Sequence, residues 1–200
     1  MSDEAQNSLI PYMVVGLGNP GQQYKTSRHN MGFLTLDHLA HHLNLSFSRV
    51  ESKALVCKGE YKTTRLFLVK PQTYMNLSGL AVGSLLRFYH IPLSNLLIAY
   101  DDIDLPFGIL RIRPSGGSAG HKGMQSIIDR LGTNEIARLR LGVNRPEGRK
   151  TAASYVLKKF SASELEILPL ILNKATQAIL TVLENGLESA MNQFNNKNEE

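Results

Sequence analysis

Apolar residues along the chain fall into runs whose period switches between two and about 3.6, and the switches divide the sequence into alternating elements. Residues 12–17, Tyr-Met-Val-Val-Gly-Leu, read as a buried strand followed by a Gly/Asn/Pro-rich loop over residues 18–30. Phe33, Leu36, Leu39 and Leu43 then recur at helical spacing. Residues 54–61 and 64–69 predict two strands. Residues 77–89 predict a helix with Leu77, Leu80, Ala81, Leu85 and Phe88 on one face, and Pro92 ends that segment. The short apolar run 96–100 predicts a central strand that ends in Asp101. Residues 109–113 and 138–141 alternate apolar with basic, as strands with one wet face do. Between them lie a flexible loop over residues 116–120 and a short helix over 124–131. Ser161-Ala162-Ser163-Glu164 is a capping box that opens a helix running to about Glu184, with Pro169 in its first turns or at a kink. Strands interleaved with helices predict an α/β domain around one mixed sheet. With no repeat and no linker, the reading is one globular domain over residues 11–191, between a flexible N-terminal segment (1–10) and a flexible tail (192–200).

Composition narrows the class. The apolar fraction is 42%, ordinary for a globular protein. No stretch approaches the roughly 20 apolar residues of a membrane span, so no membrane association is expected. Residues 1–8 are polar and acidic, unlike a signal peptide. Cys57 is the single cysteine, so no internal disulfide can form, which fits a reducing cytoplasm. The net charge is +5, unevenly spread. Residues 105–160 carry eleven basic and three acidic side chains, net +8, whereas residues 1–104 are net +1 and residues 161–200 net −4. A basic middle third fits a polyanion partner, since Lys and Arg contacts to phosphates release counterions. A solvated basic surface is the alternative.

Gly16-Leu17-Gly18-Asn19-Pro20-Gly21 is a literal G-x-G-x-x-G after a strand, with Asp37 roughly 20 residues on, as in a dinucleotide site. That fingerprint needs a helix to start within the glycines. Pro20-Gly21 is instead a turn signal, and Asp37 sits inside the next helical pattern. A nucleotide cofactor is therefore disfavoured.

A different grouping carries chemistry. Five segments lie at strand ends or helix starts, where α/β sheets build sites. They begin at Gly18, Thr26, Lys70, Asp101 and Ser115. His29 and Asp101 suit a base and its orienter: a neutral imidazole can take a proton from water, and a carboxylate fixes its tautomer. Asn19, Asn30 and Asn76 are neutral amides able to grip a peptide without adding charge. Singly, a histidine at a helix start is more often a cap or a surface residue, and asparagines in loops are usually turn formers. No serine motif or cysteine dyad is evident, so water is the expected nucleophile. His38 and His42 stand at metal-binding spacing, but no acid accompanies them and a solvated helix face is the simpler reading.

GLGNPG with Tyr24, TSRHNMG, KPQTYMNLSG, and DDIDLP before a glycine-rich loop together resemble the bacterial peptidyl-tRNA hydrolase family in order and spacing. The resemblance spans about residues 13–192. It implies a single α/β globule with a twisted mixed sheet, no metal or cofactor, a monomer without an obligate protein partner, and hydrolysis of the ester between peptide and tRNA 3′ end. It makes His29 the catalytic base, Asp101 its orienting acid and Asn19 a cleft residue. Asn76 becomes the amide that holds peptide and water, Tyr24 the tyrosine near the acceptor end, and Met75 an apolar wall. Arg113 and Arg140 would grip the 5′ phosphate of the tRNA, with Lys150 nearby. The chain departs from the family at Lys122, where the pattern His-Asn-Gly becomes His121-Lys122-Gly123. Lys cannot accept a hydrogen bond, so the Asn role does not transfer; substrate contact through its charge is the preferred reading. The rival function is a non-catalytic RNA-binding protein on the same scaffold.

Overall fold

The computed structural model describes residues 9–146, 148 and 151–195. Seven strands form one mixed sheet: β1 (Ile10–Gly16), β2 (Arg49–Glu51), β3 (Ala54–Tyr61), β4 (Thr64–Pro71), β5 (Leu96–Asp102), β6 (Leu110–Arg113) and β7 (Ala137–Gly142). Their order is β2-β3-β4-β1-β5-β7-β6. The centre, β4-β1-β5-β7, is parallel, and the edge pairings β2-β3-β4 and β7-β6 are antiparallel. Five helices flank it: α1 (Met31–His42), α2 (Ser78–Phe88), α3 (Lys122–Leu131), α4 (Ala152–Val156) and α5 (Ala162–Phe194).

The period-two alternation of buried strands divides the core between two faces. Val14, Leu68, Leu97 and Leu139 pack with Leu36 and Leu39 of α1 and with Ile171, Ala175 and Ile179 of α5. Met13, Val15, Val69 and Ile98 point the other way, onto Ala81, Val82 and Leu85 of α2 and Met124 and Ile127 of α3.

The face expected of α2 is rotated. Ala81 and Leu85 are buried, but Leu77, Leu80 and Phe88 are exposed at 43, 40 and 68%, and Val82 and Leu86 take the inward places. Gly79 and Gly83 cause this: a Cβ on Gly79 would lie 2.1 Å from the Ser126 carbonyl oxygen, so α2 meets α3 through its smallest residues. Counting apolar side chains does not register a face made of glycine.

The helix expected to end near Glu184 continues to Phe194, with a break at Gly186 (φ 83°). Residues 192–194, assigned above to the tail, are its last turn, and Asn195 bonds Ile112 and Arg111 of β6. The expected capping box is present: Glu164 N–H donates to Ser161 Oγ, and Ser161 N–H donates to Glu164. By length and composition α5 could cross a membrane, contrary to the expectation that no segment would. Its Leu168, Ile171, Ala175, Ala178 and Val182 instead pack in the core.

The glycines of the G-x-G run serve packing. α1 begins only at Met31, and just a three-residue 3-10 turn, Gln22–Tyr24, follows the glycines directly. Gly16 and Gly32 bring β1 and α1 into backbone contact, and a Cβ on Gly32 would lie 2.3 Å from both the Ala99 carbonyl oxygen and the Leu17 nitrogen. Asp37 sits on α1 and pairs with Lys70, not at a strand end. Gly32→Ala should destabilise the fold by about 1–3 kcal/mol, the usual range for overpacking. Urea unfolding measures it, and an unchanged midpoint would show that α1 can retreat from the strand ends at no cost.

Candidate active site

The close docking of α1 fixes where the chemistry sits. The turn Arg28–Asn30 that leads into it lies beside the carboxyl end of β5, where Asp101 is buried at 2% exposure. His29 Nδ1 stands 2.9 Å from Asp101 Oδ1 and 3.0 Å from Oδ2. A carboxylate accepts, so the Nδ1 proton is donated and the lone pair is left on Nε2.

A second imidazole meets the same carboxylate. His121 Nε2 lies 3.1 Å from Asp101 Oδ1, while its Nδ1 accepts the Met124 backbone N–H at 3.1 Å. His121 is the N-cap of α3, and that bond places its proton on Nε2. Burial alone would raise the Asp101 carboxyl, but the two imidazoles facing it hold it well below the usual carboxylate range. His29, Asp101 and His121 are close enough to be considered as metal ligands. The bonding argues otherwise. With Nδ1 accepting, His121 Nε2 carries a proton and has no lone pair for a cation.

These residues line a cleft of about 530 Å³. Asn19, Met75 and Asn76 line it too, together with Tyr24, Lys122 and Tyr74. Asn19 is braced on two sides. Its Oδ1 accepts the Met75 N–H at 2.9 Å, leaving its amide N–H groups for the cleft. Asn30 closes a ring on its backbone, accepting Asn19 N–H at 2.8 Å and donating to Asn19 O at 3.0 Å. Asn30 was expected at the substrate. It is buried, both ends of its amide are engaged, and it positions Asn19 without lining the cleft. Lys122, the first residue of α3, is exposed on the lining. The short helix α4 adds an apolar stretch through Ala152, Ala153, Val156 and Leu157.

A second, basic cavity of about 410 Å³ shares Tyr100 and Ala119 with the cleft. Arg113, Arg138 and Arg140 line it. Arg113 is exposed. Arg140 is partly buried, and its Nε pairs with Asp102. Arg138 is buried and bonds the carbonyls of Ile136, Gly117 and Asn134 at 2.8–3.0 Å, so it holds the glycine-rich loop. Arg111 donates to the Asn195 carbonyl. Lys150 lies outside the described residues.

Comparison with known proteins fits this geometry. Residues 13–200 match the sequence model of the family described as peptidyl-tRNA hydrolase. The chain belongs to the peptidyl-tRNA hydrolase family. It is 45% identical over 185 residues to the peptidyl-tRNA hydrolase of Chloroflexus aggregans, covering 92% of this chain and 98% of that one. It is 44% identical to that of Thermoanaerobacter sp., covering 92% and 99%. The crystal structure of the Acinetobacter baumannii peptidyl-tRNA hydrolase superposes with a TM-score of 0.86 at 32% identity, covering 94% of this chain and 95% of that one.

Sequence reasoning brought His29, Asp101, Asn19 and Asn76 to one place but gave no role to His121, Tyr74, Tyr100 or α4. For His121 the signal was weak: it closes a glycine-rich loop just before a helix, but histidine is not among the favoured N-cap residues. For α4 no periodicity exists over five residues.

The depressed Asp101 carboxyl has a consequence for stability. Because its folded value lies below its unfolded one, its contribution is complete above about pH 4 and is lost as pH falls through the folded value. The difference in unfolding free energy between wild type and Asp101→Asn should narrow as pH falls below about 4. Urea titrations at each pH test this, and a gap that widens below about pH 4 would contradict the assignment.

Proposed function

We propose that this chain hydrolyses peptidyl-tRNA with water as nucleophile and His29 as general base. The observation that carries the reading is the His29–Asp101 contact at 2.9–3.0 Å, which leaves Nε2 as the basic nitrogen of a ring lining the cleft. His29 Nε2 takes a proton from water, and the water oxygen bonds to the ester carbonyl carbon. The tetrahedral centre collapses with cleavage of the bond to the 3′ ribose oxygen, and His29 returns its proton to that oxygen. Asp101 orients the ring and stabilises the imidazolium as it forms. The Asn19 N–H donors and the exposed Asn76 amide suit the peptide main chain and the developing oxyanion. Tyr24 and Met75 form further walls, and Lys122 adds a cation for a substrate phosphate.

The basic cavity suits the acceptor stem. Arg113 and Arg140 line a space large enough for a terminal phosphate, and phosphate contacts position RNA without reading its sequence. Lys150 belongs with them in this reading. The enzyme works in the cytoplasm, without a membrane, a cofactor or an obligate protein partner. The binding-only alternative is disfavoured, because such a protein has no need for a buried carboxylate aimed at an imidazole.

The test compares N-acetylaminoacyl-tRNA with unblocked aminoacyl-tRNA. The first should be cleaved and the second largely spared, and His29→Ala should lower kcat by about 10²–10⁴ with tRNA binding retained. Tight binding without turnover in the wild type would establish the alternative. For the phosphate cavity, Arg113→Ala should weaken tRNA binding and reduce the slope of log K against log salt by about 1. An unchanged slope would remove Arg113 from the interface.

A further inference from the structure

Next to His29 stands a charged side chain that the mechanism above does not use. Arg28 is buried at 8% exposure, and its guanidinium faces the corner between α4 and α5. Nη1 donates to the Lys159 carbonyl at 2.9 Å, and Nη2 to Glu164 Oε2 at 2.5 Å. The guanidinium carbon lies 4.5 Å from the Tyr155 ring centroid and 5.5 Å from that of Phe160. The backbone repeats the connection: Arg28 N–H donates to Lys158 O at 3.2 Å, and Phe160 N–H to Thr26 O at 3.1 Å. A forked, always-charged donor stacked on aromatic rings is a pairing that lysine cannot reproduce.

What Arg28 grips is the segment that supplies the apolar part of the cleft lining. α4 spans five residues and its Ala152 and Ala153 are exposed, so its own contacts hold it weakly. Its far side is tied by the Tyr155 hydroxyl, which donates to the Val143 carbonyl at 2.7 Å. We propose that Arg28 is a positioning residue that clamps the α4–α5 corner to the His29 turn and so sets the distance between the α4 wall and the catalytic base. The proposal rests on the hydrolase reading for its effect on turnover. Glu164 has two duties, bonding Arg28 and closing the capping box of α5, and the corner is held because both converge on one carboxylate.

Two variants separate the clamp from folding. Arg28→Lys keeps the charge and removes the fork. Glu164→Gln removes the ion pair and keeps a residue type that serves in capping boxes. Each should raise KM for N-acetylaminoacyl-tRNA by about tenfold, the scale of one charge-assisted hydrogen bond. The double variant should lose no more than the worse single, since both act through one contact. The acid limb of the kcat/KM profile should stay in place, because the His29–Asp101 contact is untouched. Amide exchange over residues 152–157 should accelerate in both variants while α1 keeps its protection. That measurement needs no turnover, so it judges the clamp even if hydrolysis were absent. Wild-type exchange at α4 in both variants, or additive losses in the double variant, would overturn the proposal.

Discussion

A carboxylate removed from water is tolerable only when charge partners and donors replace the hydration it loses, and Asp101 meets that condition through two imidazoles. The pairing constrains far more than one residue. His29 must arrive from the turn before α1, and His121 from the cap of α3 on the opposite face of the sheet. Both helices therefore have to begin at the carboxyl edge of β5. The close contact of Gly16 with Gly32 and the small face of α2 against α3 bring the two helix starts to that edge.

The same constraint decides tautomers. His29 donates through Nδ1, which leaves Nε2 to act as a base, while His121 is held the other way round by the Met124 amide. Two chemically identical rings thus receive different work from their backbone neighbours. The ring whose second nitrogen is taken up by a helix cap supports the carboxylate, and the ring whose second nitrogen has no partner among the described residues can accept a proton.

Most elements were legible because strand and helix periods are local properties. β1, β3, β4, β5 and β7 fall within a residue or two of the predicted runs, and the capping box marked the start of α5. Failures came where packing depends on what is missing from a side chain. The inward face of α2 is set by Gly79 and Gly83, and a count of leucines pointed elsewhere. Short elements such as β2 and α4 carry too few residues to show a period. In the site, His29, Asp101, Asn19 and Asn76 were named from motif order. The sequence could not separate a lining residue from a brace, so Asn30 was placed at the substrate although both ends of its amide bond the Asn19 backbone. Arg140 shows the limit from the other side: strand alternation marked it as a wet-face cation, but its pairing with Asp102 is visible only once β5 and β7 are neighbours.

That pairing bears on how generality and selectivity coexist in one small enzyme. A group that must accept every tRNA can use charge only where all tRNAs are alike, at phosphates, and must use neutral donors where peptides differ. On the function proposed above, the two cavities would follow this division. Arginines are gathered in one, and in the other Asn19 is held by a backbone bond, with Lys122 the one lysine or arginine among the described lining residues. Asp102 lines the cleft yet binds Arg140 of the basic cavity, so it offsets the charge of that arginine. A cation left unpaired there would favour anionic acyl groups over others, and the partly buried pair removes that bias while Arg113 remains exposed.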